Sequence, residues 1–505
     1  MSMHNKQKAI LEIIQQALKK RVKTANQLRR IKAQVIGKYG IKGMPTDVEI
    51  LRIYNEEFKI KNEEFLNLLR TRKIRTLSGV AVIAVLTKPY PCPGHCVYCP
   101  TQKNMPKSYL SNEPAVMRAI RYKFDPYKQV QARLRALQDN GHETDKCELI
   151  VMGGTWSFLP RKYQEQFIKR CFDAFNEKKS KNLEEAKKIN EKAKHRVIGL
   201  TLETRPDYIT EEEAWRMRKL GATRVELGIQ TVYDDILKLN KRGHTVQQAI
   251  DAIQILRGQG FKITFHMMPN LPGSDLEKDL QMFKDIFSKP EWQPDQIKIY
   301  PCVVTKDAEL FRWWKAGKYQ PYTDAQLIKL LTDIKKIVPP YVRIARLIRD
   351  IPEVSIEAGN KISNLRQILQ QQGVKCNCIR CREPRQNLED TKDAKFTKRE
   401  YKVFAGREIF LSYETKKYLF SFLRLHLGKT AIIREVHTYG QMTPVKEKGQ
   451  AVQHLGFGKK LIKKAEEIAK KNKYQKISVI SGVGVRDYYR KLGYRLEREY
   501  MVKKM

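Results

Sequence analysis

The sequence predicts an α/β protein in two parts, a partial (β/α)6 barrel and a smaller C-terminal α/β domain, preceded by a basic helical segment. Three patterns lead there. Between residues 76 and 345, six strand-like runs alternate with amphipathic or charged helical stretches. From about residue 401, short strands follow one another and then give way to a glycine turn, a helix, a strand and a second helix. In residues 1–75, apolar side chains recur at helical spacing and the charge is strongly one-sided. These patterns divide the 505 residues into 1–75, 76–345, 346–400 and 401–505.

The N-terminal segment reads as helical because Ile10, Ile13, Ile14, Ala17 and Leu18 fall on one face. Through Pro45 it carries eleven Lys and Arg against one acidic residue, Glu12. The basic positions include Lys19, Lys20, Arg21, Lys23, Arg29, Arg30 and Lys32. Over the whole chain, 98 Lys+Arg oppose 55 Asp+Glu, a formal net charge of +43. A Lys/Glu-rich surface of the thermophile kind would be more balanced in sign. The surplus therefore points to a polyanionic partner and makes the basic arm a candidate nucleic-acid contact rather than merely a solvated face. No run reaches the ~20 apolar residues of a membrane span. The Lys-rich N-terminus also lacks the apolar core of a signal peptide.

The barrel strands are expected at 79–86, 148–152, 197–203, 224–230, 262–267 and 296–302. The charged run 176–196 reads as an exposed connecting helix. Chemistry in such barrels sits beyond the C-terminal ends of the strands. Just there, after the first strand, stands Cys92-Pro-Gly-His-Cys96-Val-Tyr-Cys99. Thiolate-rich sites favour zinc or iron–sulfur over harder ions. A zinc knuckle would need a fourth ligand, to which His95 points only weakly. The Cys-x3-Cys-x2-Cys spacing resembles that of the radical S-adenosylmethionine (SAM) enzymes. The resemblance implies three thiolates on a [4Fe–4S] cluster, a fourth iron open to SAM, and reductive cleavage of SAM to a 5′-deoxyadenosyl radical. Gly153-Gly154-Thr155 follows the second strand, where radical SAM enzymes place a glycine pair against the methionine end of SAM. Backbone without side chains allows that close approach. Glu203, Arg205, Gln230 and His266 also stand at strand ends. Each is either a contact to SAM or substrate or a buried structural polar group.

Residues 346–400 are polar and poor in strand signals. Their Cys376-Asn-Cys378-Ile-Arg-Cys381 is tight enough to put three thiolates on one ion, and zinc is the expected metal. Cys302 and a histidine are candidates for a fourth ligand. A redox-inert cysteine-rich turn is the alternative. Six of the nine cysteines lie in two tight clusters, which suggests metal chemistry in a reducing cytoplasm rather than disulfides.

The C-terminal strands are expected at 401–404, 409–413, 420–426, 431–438, 476–481 and 494–502, with helices at 459–471 and 485–492. Gln453-His-Leu-Gly456-Phe-Gly458, followed at once by the Lys459 helix, resembles the Gln/Arg-x-x-Gly-x-Gly/Ala turn of the GCN5-related acetyltransferases. Backbone N–H groups at such a helix start can cradle the pyrophosphate of coenzyme A. Tyr488 and Tyr489 follow, where that fold often places a tyrosine near the CoA sulfur as general acid. Neighbours on a helix lie about 100° apart, so one of the two is expected to face the ligand.

The pairing of these two domains, with Glu203-Thr-Arg-Pro-Asp207 and the stretch 477–494, resembles the catalytic subunit of the Elongator complex from residue 75 to the end. Members are tRNA uridine acetyltransferases that build a carboxymethyl group on the wobble uridine from acetyl-CoA and SAM. The resemblance implies the cluster on Cys92, Cys96 and Cys99. It implies acetyl-CoA contacts at Lys146, at Glu435, Val436, His437 and Thr438, at Phe457, Gly458 and Lys459, and at Tyr489. In the implied mechanism the anticodon arm of tRNA enters a basic cleft between the domains. The radical removes a hydrogen from the acetyl methyl, the carbon radical adds to uridine carbon 5, and the thioester is hydrolysed. The cysteine spacing and the Cys376 trio look archaeal or bacterial, implying independence from the eukaryotic partner subunits; a homodimer stays open. A protein lysine acetyltransferase would leave the cysteine triad and the basic arm without a task; a non-catalytic tRNA-binding module with a structural cluster is the third reading.

Overall fold

The computed structural model describes residues 3–58, 62–70, 78–384, 389–404, 406–440 and 456–505. The N-terminal helices are α1 (Met3–Lys19), α2 (Ala25–Lys38), α3 (Asp47–Glu57) and α4 (Glu63–Leu69). They close on a core of their own, with Ile13, Ile14, Leu28, Ile50 and Tyr54 at its centre. Thr24 and Thr46 make capping boxes with Gln27 and Glu49 at the starts of α2 and α3, each worth about 1 kcal/mol. The segment is thus a small packed domain rather than an arm. Lys19, Lys20, Arg21, Lys23, Arg29 and Arg30 are exposed on it. Lys32 departs from the expectation: it is buried, and its ammonium binds Asp47 and the Pro45 carbonyl.

The barrel has seven parallel strands, one more than expected, paired in sequence order. They are β1 (Ala81–Leu86), β2 (Lys146–Met152), β3 (Arg196–Thr204), β4 (Arg224–Gln230), β5 (Lys262–Met267), β6 (Gln296–Ile299) and β7 (Arg343–Arg346). The seventh is only Arg-Ile-Ala-Arg, so its polarity hides it from a hydrophobic pattern. The sheet is open, with β1 and β7 as its two edges. Strand β6 stops at Ile299 instead of continuing to Cys302, whose amide turns back to the Pro269 carbonyl. The charged run after Asn176 is not an exposed helix throughout. It holds the short helix Leu183–Asn190, in which Lys187 is 1 % exposed and reaches the Lys219 carbonyl and Glu499.

The C-terminal sheet contains β8 (Lys395–Val403), β9 (Gly406–Glu414), β10 (Leu419–Leu427), β11 (Ala431–Thr438), β12 (Lys476–Val479), β13 (Arg495–Glu497) and β14 (Tyr500–Lys504). Its order is β13-β14-β12-β11-β10-β9-β8, and only β11 and β12 run parallel. The single expected last strand is a hairpin, turned at Arg498 with φ +53°. Buried charge joins this sheet to the barrel. Asp295, ahead of β6, binds Arg434 of β11 at 3.0 Å and Arg424 of β10 at 3.4 Å. Arg434 also binds Glu408 at 3.0 Å. Gly482 fits against β3 so closely that a Cβ there would lie 2.0 Å from the Ile198 carbonyl oxygen.

Candidate active site at the two ends of the barrel

Beyond the C-terminal ends of the strands, Cys92, Cys96 and Cys99 share one loop, all partly buried. The Cys92 sulfur lies 3.7 Å from Thr155 Oγ1, so the loop touches the glycine turn after β2. Gly153 and Gly154 have φ of +133° and +98°, and a Cβ on Gly153 would lie 2.0 Å from Thr87 Oγ1. Only glycine fits there. Arg242 donates to the Cys96 sulfur at 3.6 Å and to the Gly228 carbonyl at 2.8 Å. Arg205 is held by Asp207 at 2.8 Å, while its Nη1 is buried without a partner beside Gly94. Arg205 was a strand-end candidate in the sequence, whereas Arg242 escaped it, because no motif ties that residue to the loop.

The donor set suits a cluster better than a single ion. Thiolates on one zinc stand about 3.8 Å apart at a Zn–S distance of ~2.3 Å. Among the described residues, only Cys376, Cys378 and Cys381 bring three ligand atoms within 4.8 Å of one another. The Cys92 trio is more widely spread, as ligands to separate irons must be.

Deeper in the lumen lies a network of ionisable groups. Tyr109 donates to Glu203 at 2.8 Å. His266 stands 3.6 Å from Glu203 and 3.0 Å from Glu226, which also binds Lys298. Gln230, in the left-handed region at φ +73°, has its Oε1 buried without a partner. At the far end Arg224 binds Glu148 at 2.6 Å.

At that far end, where the strands begin, a cavity of about 1110 Å³ separates the barrel from the C-terminal sheet. Lys146, Glu435, Val436, His437 and Thr438 line it, as do Gly456, Gly458 and Lys459 and both Tyr488 and Tyr489. Phe457 instead turns inward and stacks on Tyr413 at 4.6 Å. Gln453 lies outside the described residues. The local fold explains the opening. β11 and β12 pair only from Ala431 to Ile433, and β11 then runs on paired with β10 alone. The β12-facing edge of residues 434–438 is thereby left for a ligand's amides. Gly456, at φ +73°, starts the helix Phe457–Lys471 without a side-chain cap, leaving its first N–H groups for an anion.

The electrostatics of the cavity are mixed. Burial lowers the pKa of Lys146. Burial opposes ionisation of Glu435, but Lys262 and Arg424 hold its carboxyl at about 2. Burial also lowers the pKa of His437, whose Nε2 hydrogen-bonds the Ser78 carbonyl at 3.1 Å; a carbonyl only accepts, so that nitrogen carries the proton. Tyr488 is 36 % exposed and Tyr489 6 %. The Tyr488 hydroxyl stands 3.6 Å from the Cβ position of Gly458, and burial pushes its pKa to about 12. Tyr489 packs edge-on against Tyr494 at the cavity floor.

The Cys376 trio lies at the joint between the sheets. The Ile379 amide binds the Val342 carbonyl, Arg343 binds Glu383, and Arg382 binds Glu414 at 2.8 Å. Hydrogen bonds from Cys376 and Cys381 hold the Cys378 thiol well below its ordinary pKa. Cys302 is not a fourth ligand: it packs apart, in the cluster of Val304, Leu310 and Tyr319.

The family models for the ELP3 N-terminal domain, the radical SAM superfamily and the radical SAM C-terminal domain match residues 6–77, 90–286 and 294–373. A tRNA uridine(34) acetyltransferase of Methanocaldococcus infernus is 44% identical over 99% of this chain and 100% of its own length. The chain belongs to the family of the tRNA uridine(34) acetyltransferases and Elongator complex protein 3. A family member from Dehalococcoides mccartyi, also named tRNA uridine(34) acetyltransferase, is 47% identical over 85% of this chain and 98% of its own. Human Elongator complex protein 3 is 38% identical over 94% and 93%. The solved structure of M. infernus Elp3 with an N-terminal deletion (1–46) superposes with a TM-score of 0.74 at 43% identity, covering 85% of this chain and 99% of that one. The family relationship extends through the barrel and the C-terminal sheet alike, so this is a radical SAM enzyme family with an acyltransferase activity. Among the described residues, no helix is long and apolar enough to cross a membrane.

Proposed function

We propose that this chain is a tRNA uridine(34) acetyltransferase that forms 5-carboxymethyluridine from acetyl-CoA. The observation that carries the reading is the cavity, which gathers Lys146, residues 435–438, Gly456, Gly458, Lys459 and both tyrosines, contributed by two domains, around one space. Full-length relatives named for this activity support it. Cys92, Cys96 and Cys99 would hold the [4Fe–4S] cluster, with Gly153 and Gly154 against SAM. When bound, these groups supply one-electron cleavage and a carbon-centred radical. The chain's own residues do the rest. The uncapped helix start at Gly456 binds the pyrophosphate. The open edge of β11 aligns the amide-bearing arm. A tyrosine that stays protonated at neutral pH, Tyr489 or its more exposed neighbour Tyr488, donates to the departing sulfur. The deciding experiment is mass spectrometry of nucleosides from tRNA incubated anaerobically with reduced protein, SAM and acetyl-CoA. Absence of 5-carboxymethyluridine would overturn the reading.

The anticodon arm is the partner this reading requires, and the N-terminal domain supplies part of its affinity. Replacing Lys19, Lys20, Arg21 and Lys23 together with glutamine should weaken tRNA binding. It should flatten the log–log salt dependence by up to about 3, at ~0.7–0.9 per lost phosphate contact. An unchanged slope in filter binding rules the contact out.

Zinc on Cys376, Cys378 and Cys381 completes the reading, with the trio as a structural staple between the sheets. Elemental analysis of cluster-free protein should find about one zinc per chain, and its removal by chelator should lower thermal stability without a specific chemical defect. Zinc-free protein of equal stability would dismiss it.

A further inference from the structure

The two ends of the site lie far apart. Lys146 begins β2 in the cavity, and Met152 ends it beside the glycine turn and the thiolate loop. Six residue steps of strand separate them, about 20 Å. We propose that the barrel lumen is an internal passage for an acyl thioester arm, running along β1 and β2 from the cavity to the thiolate loop. The inference rests on the function proposed above for the two ends.

A barrel interior of this kind is ordinarily a packed core. Here one side of it is open. Along β2, Cys147, Leu149 and Val151 are buried against the outer helices, whereas Lys146, Glu148, Ile150 and Met152 all remain partly accessible. Their neighbours on β1 repeat the pattern, with Val82 paired to Glu148 and Ala84 to Ile150. Val82 is 39 % exposed and Ala84 partly so, while Ala81, Ile83 and Val85 are fully buried. The accessible positions therefore form a stripe on one face of two paired strands, which runs along β2 to Met152 but ends on β1 at Ala84, because Leu86 beside Met152 is fully buried. The opposite wall is closed: all of β4 up to Ile229 is buried, and Glu226 is tied to Lys298 and His266. The openness has a structural cause. β1 is an edge strand, so no paired neighbour crowds that side of the lumen.

The stripe also selects its occupant. Its walls are small and apolar at Val82, Ala84 and Ile150, which suits a thin arm. Its one acidic residue near the cavity, Glu148, is held by Arg224. Beyond that ion pair the stripe residues Ala84, Ile150 and Met152 offer no charge to a phosphate, so the nucleotide end of an acyl carrier stays in the cavity while the uncharged thioester end advances.

The passage can be probed with an engineered thiol. Ile150→Cys places a thiol midway along the stripe. With the cluster-loaded protein and the symmetric disulfide of CoA, the introduced thiolate attacks one sulfur. One CoA thiol leaves, and a mixed disulfide forms. Tandem mass spectrometry should find the CoA adduct on residue 150 and none on Cys147, which faces the helices in the same peptide. Excess acetyl-CoA should suppress the adduct. As a second measurement, Ile150→Trp should block the stripe. Acetyl-CoA binding and 5′-deoxyadenosine formation should persist, while carboxymethyluridine falls at least tenfold. An unlabelled residue 150 in a folded protein that still binds acetyl-CoA overturns the passage, and so does parental product formation by Ile150→Trp. If Ile150→Trp does not fold, the labelling decides alone. If the parental protein makes no carboxymethyluridine while residue 150 is labelled, the function proposed above fails and the passage stands.

Discussion

Cys92→Ser yields a protein that binds acetyl-CoA with parental affinity yet forms no detectable 5′-deoxyadenosine and no modified uridine. A serine hydroxyl does not ionise near neutral pH and is a hard donor, so it replaces a thiolate poorly on iron. Two cysteines cannot hold three irons, and the loss should be complete rather than graded. Acetyl-CoA binding should survive because the contacts proposed for it, from Lys146 to Gly456 and Lys459, line a cavity at the other end of the barrel. The check is iron content with the 5′-deoxyadenosine assay, alongside calorimetry with acetyl-CoA. The converse variants are Tyr488→Phe and Tyr489→Phe. Whichever tyrosine donates a proton should lose about 10²–10⁴ in acetyl-CoA turnover with the cluster intact. The other should lose little, because phenylalanine preserves its packing. Full carboxymethylation by Cys92→Ser would end the cluster assignment.

The second large effect is on stability. Asp295→Ala should destabilise the protein by about 3–5 kcal/mol, since it leaves the buried guanidinium groups one carboxylate short, Arg434 with Glu408 alone and Arg424 with Glu435 alone. Arg434 and Arg424 are both 1 % exposed, Asp295 is fully buried, and one of its oxygens also accepts the Ile263 amide at 2.8 Å. The drop should appear in the thermal midpoint and as faster proteolysis at the junction of barrel and C-terminal sheet. Asp295→Asn should recover part of the loss through retained hydrogen bonds. A midpoint unchanged in Asp295→Ala would mean that the ion cluster adds nothing to the joint.

The parts of this molecule that were legible in its sequence depend on local chemistry. Cys92, Cys96 and Cys99 announce themselves by spacing, and Gly153 and Gly154 by following the second strand; the structure adds the positive φ and close packing that exclude a side chain at Gly153. Strands β4 and β5 were readable because apolar residues alternate along them, Val225, Leu227 and Ile229 in one and Ile263, Phe265 and Met267 in the other. Other features depend on distant pairings. Asp295 and Arg434 lie 139 positions apart, and each alone reads as a surface charge. Lys187 looked solvated for the same reason, until Glu499 is seen beside it. Strand β7 is short and flanked by arginines, so no periodicity betrays it. The wrapping of β8 from Lys395 was hidden by its exposed, alternating polar residues. The angular separation of Tyr488 and Tyr489 suggested that one alone would face the ligand, but the cavity is wide enough to be lined by both, Tyr488 at 36 % and Tyr489 at 6 % exposure.

The placement of the thiolate loop and the cavity at opposite ends of one barrel has a kinetic meaning. On the function proposed above, a tRNA arriving at the thiolate end would not occlude an acetyl-CoA entrance at the cavity, and neither would need to leave before the other binds. The two substrates should therefore load in either order. Initial-velocity lines at several fixed tRNA concentrations should intersect rather than run parallel, the signature of a ternary complex in place of a double-displacement cycle.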